Sequence, residues 1–257
     1  MTRPTSDESV FDVIYTCRAM RRYKSQDVPE ATILELLDAA IRAPNGGNAQ
    51  NWRFIVVRDP EVKRRLGVEV RKRTRWKVTV DELRIEAARD AGILSPDDEA
   101  RARRSLAAFH RLAERFEEIP VLICVCMVPD TSTGKAVTSR ASVRRAVQEF
   151  GILGVLRLLV SGTRISEQAM WAAGYPAVQN ILLAARAKGL GALLTAPQLL
   201  GPPGQVERIL GLPKSVKLAA IIPVGHPQGH FGPVRRRPVE EFIFRDQYGV
   251  TETASTD

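Results

Sequence analysis

Apolar residues recur along this chain in two rhythms, and the change from one to the other marks its elements. Val10, Phe11, Val13 and Ile14 follow the polar run Ser6-Asp7-Glu8-Ser9 and predict a first, capped amphipathic helix. Val28-Pro29-Glu30 opens a second helix, since Pro suits a first turn, and Ile33, Leu36, Leu37, Ala40 and Ile41 recur at helical spacing. A Gly- and Asn-rich stretch then leads into a short strand over 54–57, which Asp59-Pro60 ends. Residues 61–118 have a charged, mostly helical pattern with a polar interruption at Ser95-Pro96-Asp97-Asp98. Residues 120–128 form an unbroken apolar run of β-formers and predict a central strand buried on both sides. Cys124 and Cys126 are expected on opposite faces of that strand, as packing residues and not a metal clamp.

The later half alternates less regularly. After Asp130-Thr-Ser-Thr-Gly134 comes a basic stretch, then the apolar residues 150–160, too short and too flanked by Arg to span a membrane. Residues 177–188 predict an Ala- and Leu-rich helix, with Gly189 just past its end. A short strand over 190–194 stops at Thr195-Ala196-Pro197. A helix over 205–210 and a strong strand over 216–224 follow, then a Gly- and Pro-punctuated tail over 225–247. The irregular alternation favours α+β over a doubly wound parallel sheet. With no repeat or linker, 1–257 is expected to be a single domain, with 61–118 and 134–171 as covering or interface segments and 248–257 as a tail.

Composition narrows the function classes. The 257 residues are 44% hydrophobic and 26% charged, which is ordinary for a globular protein. No apolar run reaches the ~18 residues of a membrane span, and the first residues lack a signal-peptide core, so a cytoplasmic protein is expected. Three cysteines make no disulfide framework. The net charge of +9 asks for an anionic partner, and it gathers at Arg18–Lys24, 63–77, 101–104 and Arg235-Arg236-Arg237. The middle two clusters lie in helical stretches that also carry acids and read as solvated helix faces. The first and last are short, dense and far apart in sequence. A nucleic-acid binder would also be basic, but neither an aromatic platform nor a DNA-reading module is present.

The chain carries no phosphate-binding loop, no G-x-G-x-x-G after a strand, no nucleophile elbow and no H-E-x-x-H. Of three histidines, His110 lies in a charged helix and His226 and His230 bracket a turn without further ligands, so no metal is expected. With so few bases and nucleophiles, an enzyme of this sequence borrows its reactive centre from a cofactor, and no side chain is assigned a catalytic role.

The Gly- and Asn-rich stretch is richer than a turn requires. Pro44-Asn45-Gly46-Gly47-Asn48 runs into Gln50, Trp52 and Arg53, which offers backbone N–H groups, amides and an aromatic wall together. Arg18-Ala19-Met20-Arg21-Arg22-Tyr23, Val28-Pro29 and Ala43 through Phe54, in that order, resemble the FMN-dependent nitroreductase and flavin reductase family. Pro176-Ala177-Val178-Gln179-Asn180, Gly189-Leu-Gly-Ala192, Pro223-Val-Gly225 and Arg235-Arg236-Arg237-Pro238 continue the resemblance. Each piece is weak alone; the ordered set spans residues 10–245.

The resemblance implies a nitroreductase-like fold, a central and mostly antiparallel sheet flanked by helices, in an interlocked homodimer with FMN at the interface. Arg18, Ala19, Arg21 and Arg22 match the phosphate and ribityl contacts, and Arg235 and Arg236 the C-terminal basic pair that closes on the phosphate. Arg suits this role because its planar fork meets phosphate oxygens two at a time. Pro44, Asn45, Gly46 and Asn48 match a loop that covers the partner subunit's flavin. Leu193, Leu194, Thr195 and Ala196 match the strand end along the isoalloxazine, where a backbone N–H near Thr195 or Ala196 polarises the ring nitrogen. Four positions depart from the family: Cys17 replaces a basic residue, Ala19 and Asn45 replace Ser, and Asn51 replaces Pro. Ala19 therefore brings no hydroxyl.

The activity implied is a ping-pong oxidoreductase passing hydride from NAD(P)H through FMN to an electron-poor acceptor such as a nitroaromatic or quinone. Reductive dehalogenation and flavin cleavage are alternatives on the same fold, and a flavin-binding protein without catalysis is a third. Nucleic acid and membrane are not expected partners.

Overall fold

A computed structural model describes the backbone of residues 9–129 and 140–250, and the side chains of these except 157–166. The sequence features at Ser6-Asp7-Glu8, 130–139 and 251–257 lie outside the described residues.

The architecture follows from one strand. β2 (Val121–Met127) is buried at every position, as its unbroken apolar run predicts. The sheet order is β1-β2-β4-β3, with β1 (Trp52–Val57), β4 (Lys217–Gly225) and β3 (Gly191–Ala192) all antiparallel to their neighbours. β2 therefore has a strand on each side. Phe54 pairs with Val125, and Ile123 with Ile222.

Side chains of a strand alternate between faces, and β2 divides the core accordingly. Val121, Ile123, Val125 and Met127 face α2 (Glu30–Ala40) and the later part of α5 (Arg140–Ala187), meeting Ile33, Leu36, Val178 and Ile181. Leu122, Cys124 and Cys126 face α3 (Pro60–Asp90) and α4 (Pro96–Glu114), meeting Leu66, Val70, Leu112 and Phe116. Helices thus cover both faces of the sheet. The expectation that Cys124 and Cys126 point apart is overturned: residues two apart share a face. Both thiols are buried packing groups, and burial pushes that of Cys126 up to about 11.

The helix boundaries have local causes. Asp59 accepts the Val62 N–H at 2.8 Å to cap α3, and Ser95 accepts the Asp98 N–H at 3.2 Å to cap α4 at the expected interruption. α5 starts well before the helix expected at 177–188 and contains Pro176. It breaks at Gly151, where φ +68° and ψ 169° are open to glycine. α1 (Val10–Thr16) splits its expected apolar stripe, with Val13 buried and Phe11 63% exposed.

The strand expected over 190–194 shrinks to Gly191–Ala192, and a single bridge, Thr195 to Ile221, continues it in register. Between them Leu193 falls opposite Pro223. The Ile221 N–H points at Thr195, so the residue two further on turns the same way, and Pro223 has no N–H to give. The ladder fails there. Residues 193–196 run alongside β4 as an irregular edge, and α6 (Gln205–Ile209) follows.

Candidate flavin site

The peptide after α1 is held from two sides. The Met20 N–H donates to the Ala192 carbonyl at 3.3 Å, and that close approach requires Gly191, where a Cβ would lie 2.9 Å from the Met20 Cβ. On its other side residues 226–234 run antiparallel to residues 15–24. The Lys24 N–H donates to His226 (2.8 Å), the Gln228 N–H to Arg22 (3.0 Å) and the Val234 N–H to Tyr15 (2.9 Å). The Tyr23 hydroxyl locks the turn by donating to the Met20 carbonyl at 2.6 Å.

This pairing brings the two basic clusters, far apart in sequence, to one edge of the sheet. Arg18 reaches toward Gly232, and Arg235 emerges beside the end of α1. Arg18, Arg22, Arg235 and Arg236 are exposed, and among the described residues no carboxylate pairs with any of them. Among the described residues Arg236 donates to the Arg235 carbonyl alone, at 2.9 Å. Arg237 turns away to Glu241, at 3.0 Å, and lies over the Phe242 ring. Arg21 is half-buried, and its Nε is buried without a partner among the described residues. Burial lowers its pKa, Tyr23 opposes that, and Arg18 adds to it. Ala19 is exposed beside them. A patch of unpaired guanidinium groups with one orphaned Nε fits a phosphate-bearing ligand.

Residues 193–196 border this patch through the Met20–Ala192 bond. Leu193 is buried and Leu194 is 41% exposed. Thr195 is fully engaged, its N–H donating to the Ile221 carbonyl at 3.0 Å and its hydroxyl to the same oxygen at 2.7 Å. The backbone donor expected near Thr195 or Ala196 is therefore not that of Thr195. The Ala196 N–H has no partner among the described residues.

The loop over 43–54 lies elsewhere. Its shape comes from its amides: Asn45 accepts the Gln50 N–H at 2.8 Å and donates to Asn51 at 3.2 Å, and Asn51 donates to the Val128 carbonyl at 3.1 Å. Asn45 is thus spent on closing the loop, while Pro44, Gly46 and Asn48 are exposed. Positive φ falls at Gly47, Asn48 and Gln50, not at Gly46. The loop enters β1, whose first residue pairs with Met127 at the far end of β2, whereas β3 pairs with the opposite end of β4. Three strand spacings across and six residues along put the loop roughly 25 Å from the arginines of its own chain.

Two groups near the site escaped the sequence pattern. Arg111 and Arg115, four apart and so on one face of the end of α4, reach the same cavity as Arg21 and Arg22. Arg73, on α3, is buried and donates to the carbonyls of Pro197 (3.2 Å), Pro202 (2.8 Å) and Leu200. It clasps the loop that follows residues 193–196. The spacing of 111 and 115 was a readable signal inside a charged helix; Arg73 had none.

Among the described residues no helix is long and apolar enough to cross a membrane. The chain is 29% identical to an NADH dehydrogenase of Thermus thermophilus over 228 residues, 88% of this chain and 90% of that protein. It is 26% identical to an iodotyrosine deiodinase of Thermotoga neapolitana over 245 residues, 92% of this chain and 96% of that protein. Its fold matches an iodotyrosine deiodinase solved with FMN and 3-iodo-L-tyrosine, with TM-score 0.59 and 22% identity over 93% of this chain and 99% of that one. It also matches the NfrA1 nitroreductase of B. subtilis, with TM-score 0.60 and 19% identity over 95% of this chain and 76% of that one. The Nitroreductase family profile matches residues 14–226, a stretch that includes the arginines after α1 and all four strands, and the chain belongs to that family.

Proposed function

We propose that this oxidoreductase binds FMN at the arginine edge and uses NAD(P)H to reduce an electron-poor acceptor, such as a nitroaromatic or quinone, in a ping-pong cycle. The observation that carries this reading is that the run over 226–234 brings Arg235 and Arg236 alongside the peptide that carries Arg18, next to the start of residues 193–196. The arginines would hold the FMN phosphate, with Arg21 and Ala19 along the ribityl side. The Ala196 N–H would donate toward the ring, where a fixed dipole favours added negative charge. Leu193 and Leu194 would supply the apolar wall. FMN supplies the hydride chemistry; the protein supplies binding, orientation and polarisation.

The 43–54 loop cannot serve its own chain's site across the sheet, which supports a homodimer in which each loop covers the other subunit's flavin. Exposed apolar residues fit the same reading: Phe11 and Tyr15 of α1, Ile152 and Leu153 of α5, and Tyr248 are 63%, 64%, 70%, 67% and 92% exposed. On this reading the protein is a cytoplasmic single domain, with parts of 61–118 and 134–171 at the interface and over the substrate. Gly46→Val tests the loop. Among the described residues, its chain neighbours aside, no atom lies within 4 Å of the Cβ position at Gly46, so a side chain there has room in the subunit. Thermal stability is expected to hold within about 0.5 kcal/mol while FMN affinity drops. Unchanged FMN affinity would mean that the loop is only a turn.

The likeness to iodotyrosine deiodinases favours a second reading, reductive dehalogenation on the same site. Anaerobic mixing with NADH or NADPH is expected to bleach the flavin, and reoxidation by a quinone, a nitroaromatic or a halophenol identifies the acceptor. Flavin that neither nicotinamide bleaches contradicts the NAD(P)H-driven cycle.

A further inference from the structure

The end of α4 carries arginines beyond those expected for the flavin. A cavity of about 60 Å³ lies between the peptide after α1 and the last turn of α4, bounded by Arg21, Arg22, Tyr23, Arg111, Arg115 and Glu118. At the usual allowance that is space for roughly four waters, the scale of a phosphate or carboxylate group. Four guanidinium groups meet one carboxylate there. Glu118 is already taken by Arg115, at 2.7 Å from its Nε. Among the described residues the side chains of Arg21, Arg22 and Arg111 have no hydrogen-bond or ion-pair partner, and the Nε of Arg21 is buried.

Such an arrangement is costly without a ligand. Arg111 lies in the last turn of α4 and Arg115 caps its end, and Arg21 and Arg22 bring two more cations against them with Glu118 as the one carboxylate of the lining. Arg forks suit planar or tetrahedral oxyanions. We propose that this cavity is an anion subsite that takes a phosphate or carboxylate group of a substrate. It shares Arg21 and Arg22 with the expected flavin contacts, and Arg111 and Arg115 are its own. Its role in substrate choice rests on the function proposed above; its capacity to bind an anion does not. Two sources carry the chemistry, the extra phosphate of NADPH and an acidic group on the acceptor.

The test measures inorganic phosphate binding to FMN-loaded protein by ³¹P NMR at constant ionic strength. Arg111→Gln/Arg115→Gln is expected to weaken phosphate binding by at least about tenfold and leave FMN affinity within about twofold. Glu118→Gln, which frees Arg115, is expected to tighten phosphate a few-fold. Phosphate affinity unchanged in the double variant overturns the subsite, and so does loss of FMN together with phosphate, which would make the cavity part of the flavin site. In kinetics, a rise in KM for NADPH but not NADH identifies the donor. A rise for an acidic quinone but not a neutral one identifies the acceptor. If no KM moves, the group is not a substrate's and the proposal fails. Should the protein not take up FMN, phosphate binding is read in an Arg18→Ala/Arg236→Ala background, so that the subsite and the flavin reading fail separately.

Discussion

Arg73→Met is expected to lower the unfolding temperature by roughly 6–20 °C. The side chain of Arg73 is only 3% exposed and lies 3.4 Å from Glu69, itself 17% exposed. Its guanidinium answers the carbonyls of Pro197, Leu200 and Pro202. Met fills much of the same volume, so the loss is polar: three acceptors lose a donor and Glu69 loses its counterion. Breaking a buried pair costs about 3–5 kcal/mol, and a chain of this size loses about 2–4 °C per kcal/mol. Calorimetry or a thermal melt followed by circular dichroism checks it. The residue also bears on function, because the clasped loop continues directly from residues 193–196. A subunit that survives the substitution should therefore lose flavin faster than wild type. Arg73→Lys keeps the charge but not the fork, and an intermediate melt is expected. A wild-type melt for Arg73→Met would mean that the clasp contributes little.

The second large effect concerns the arginine edge. Arg18→Ala and Arg236→Ala are each expected to weaken FMN binding by about 10- to 100-fold, the range of one charge-assisted hydrogen bond to phosphate. The double variant should lose about 100- to 10,000-fold if the two sites act independently. Both residues are exposed, so their melting temperatures should stay near wild type. Gel filtration followed by a flavin assay of the protein peak reads the loss. Arg18→Lys restores charge without the bidentate fork and should recover part of the affinity. Full flavin retention in the double variant would place the phosphate elsewhere.

How much of this the sequence shows depends on whether the cause is local. The central strand is legible because seven consecutive apolar β-formers have few other places to go. The caps at Asp59 and Ser95 are legible because capping is a short-range event. The truncation of β3 is not, because it depends on Pro223 arriving opposite Leu193, a pairing that only topology decides. Arg73 looks like one more arginine in a charged helix, since the carbonyls it serves come from 124 residues or more along the chain. The arginine clusters at 18–22 and 235–237 are visible as residues and by resemblance. Their meeting is created by the antiparallel run of 226–234 against 15–24. The loop over 43–54 is legible as unusual, yet its distance from its own chain's arginines emerges only from the strand order.

The most direct test of the flavin reading is a titration of FMN into the purified wild-type protein stripped of bound small molecules, followed by quenching of flavin fluorescence. Saturable uptake of one FMN per chain, abolished in Arg18→Ala/Arg236→Ala, is the predicted result. A folded wild-type protein that takes up no FMN, or a double variant that takes it up as well as wild type, would contradict the account.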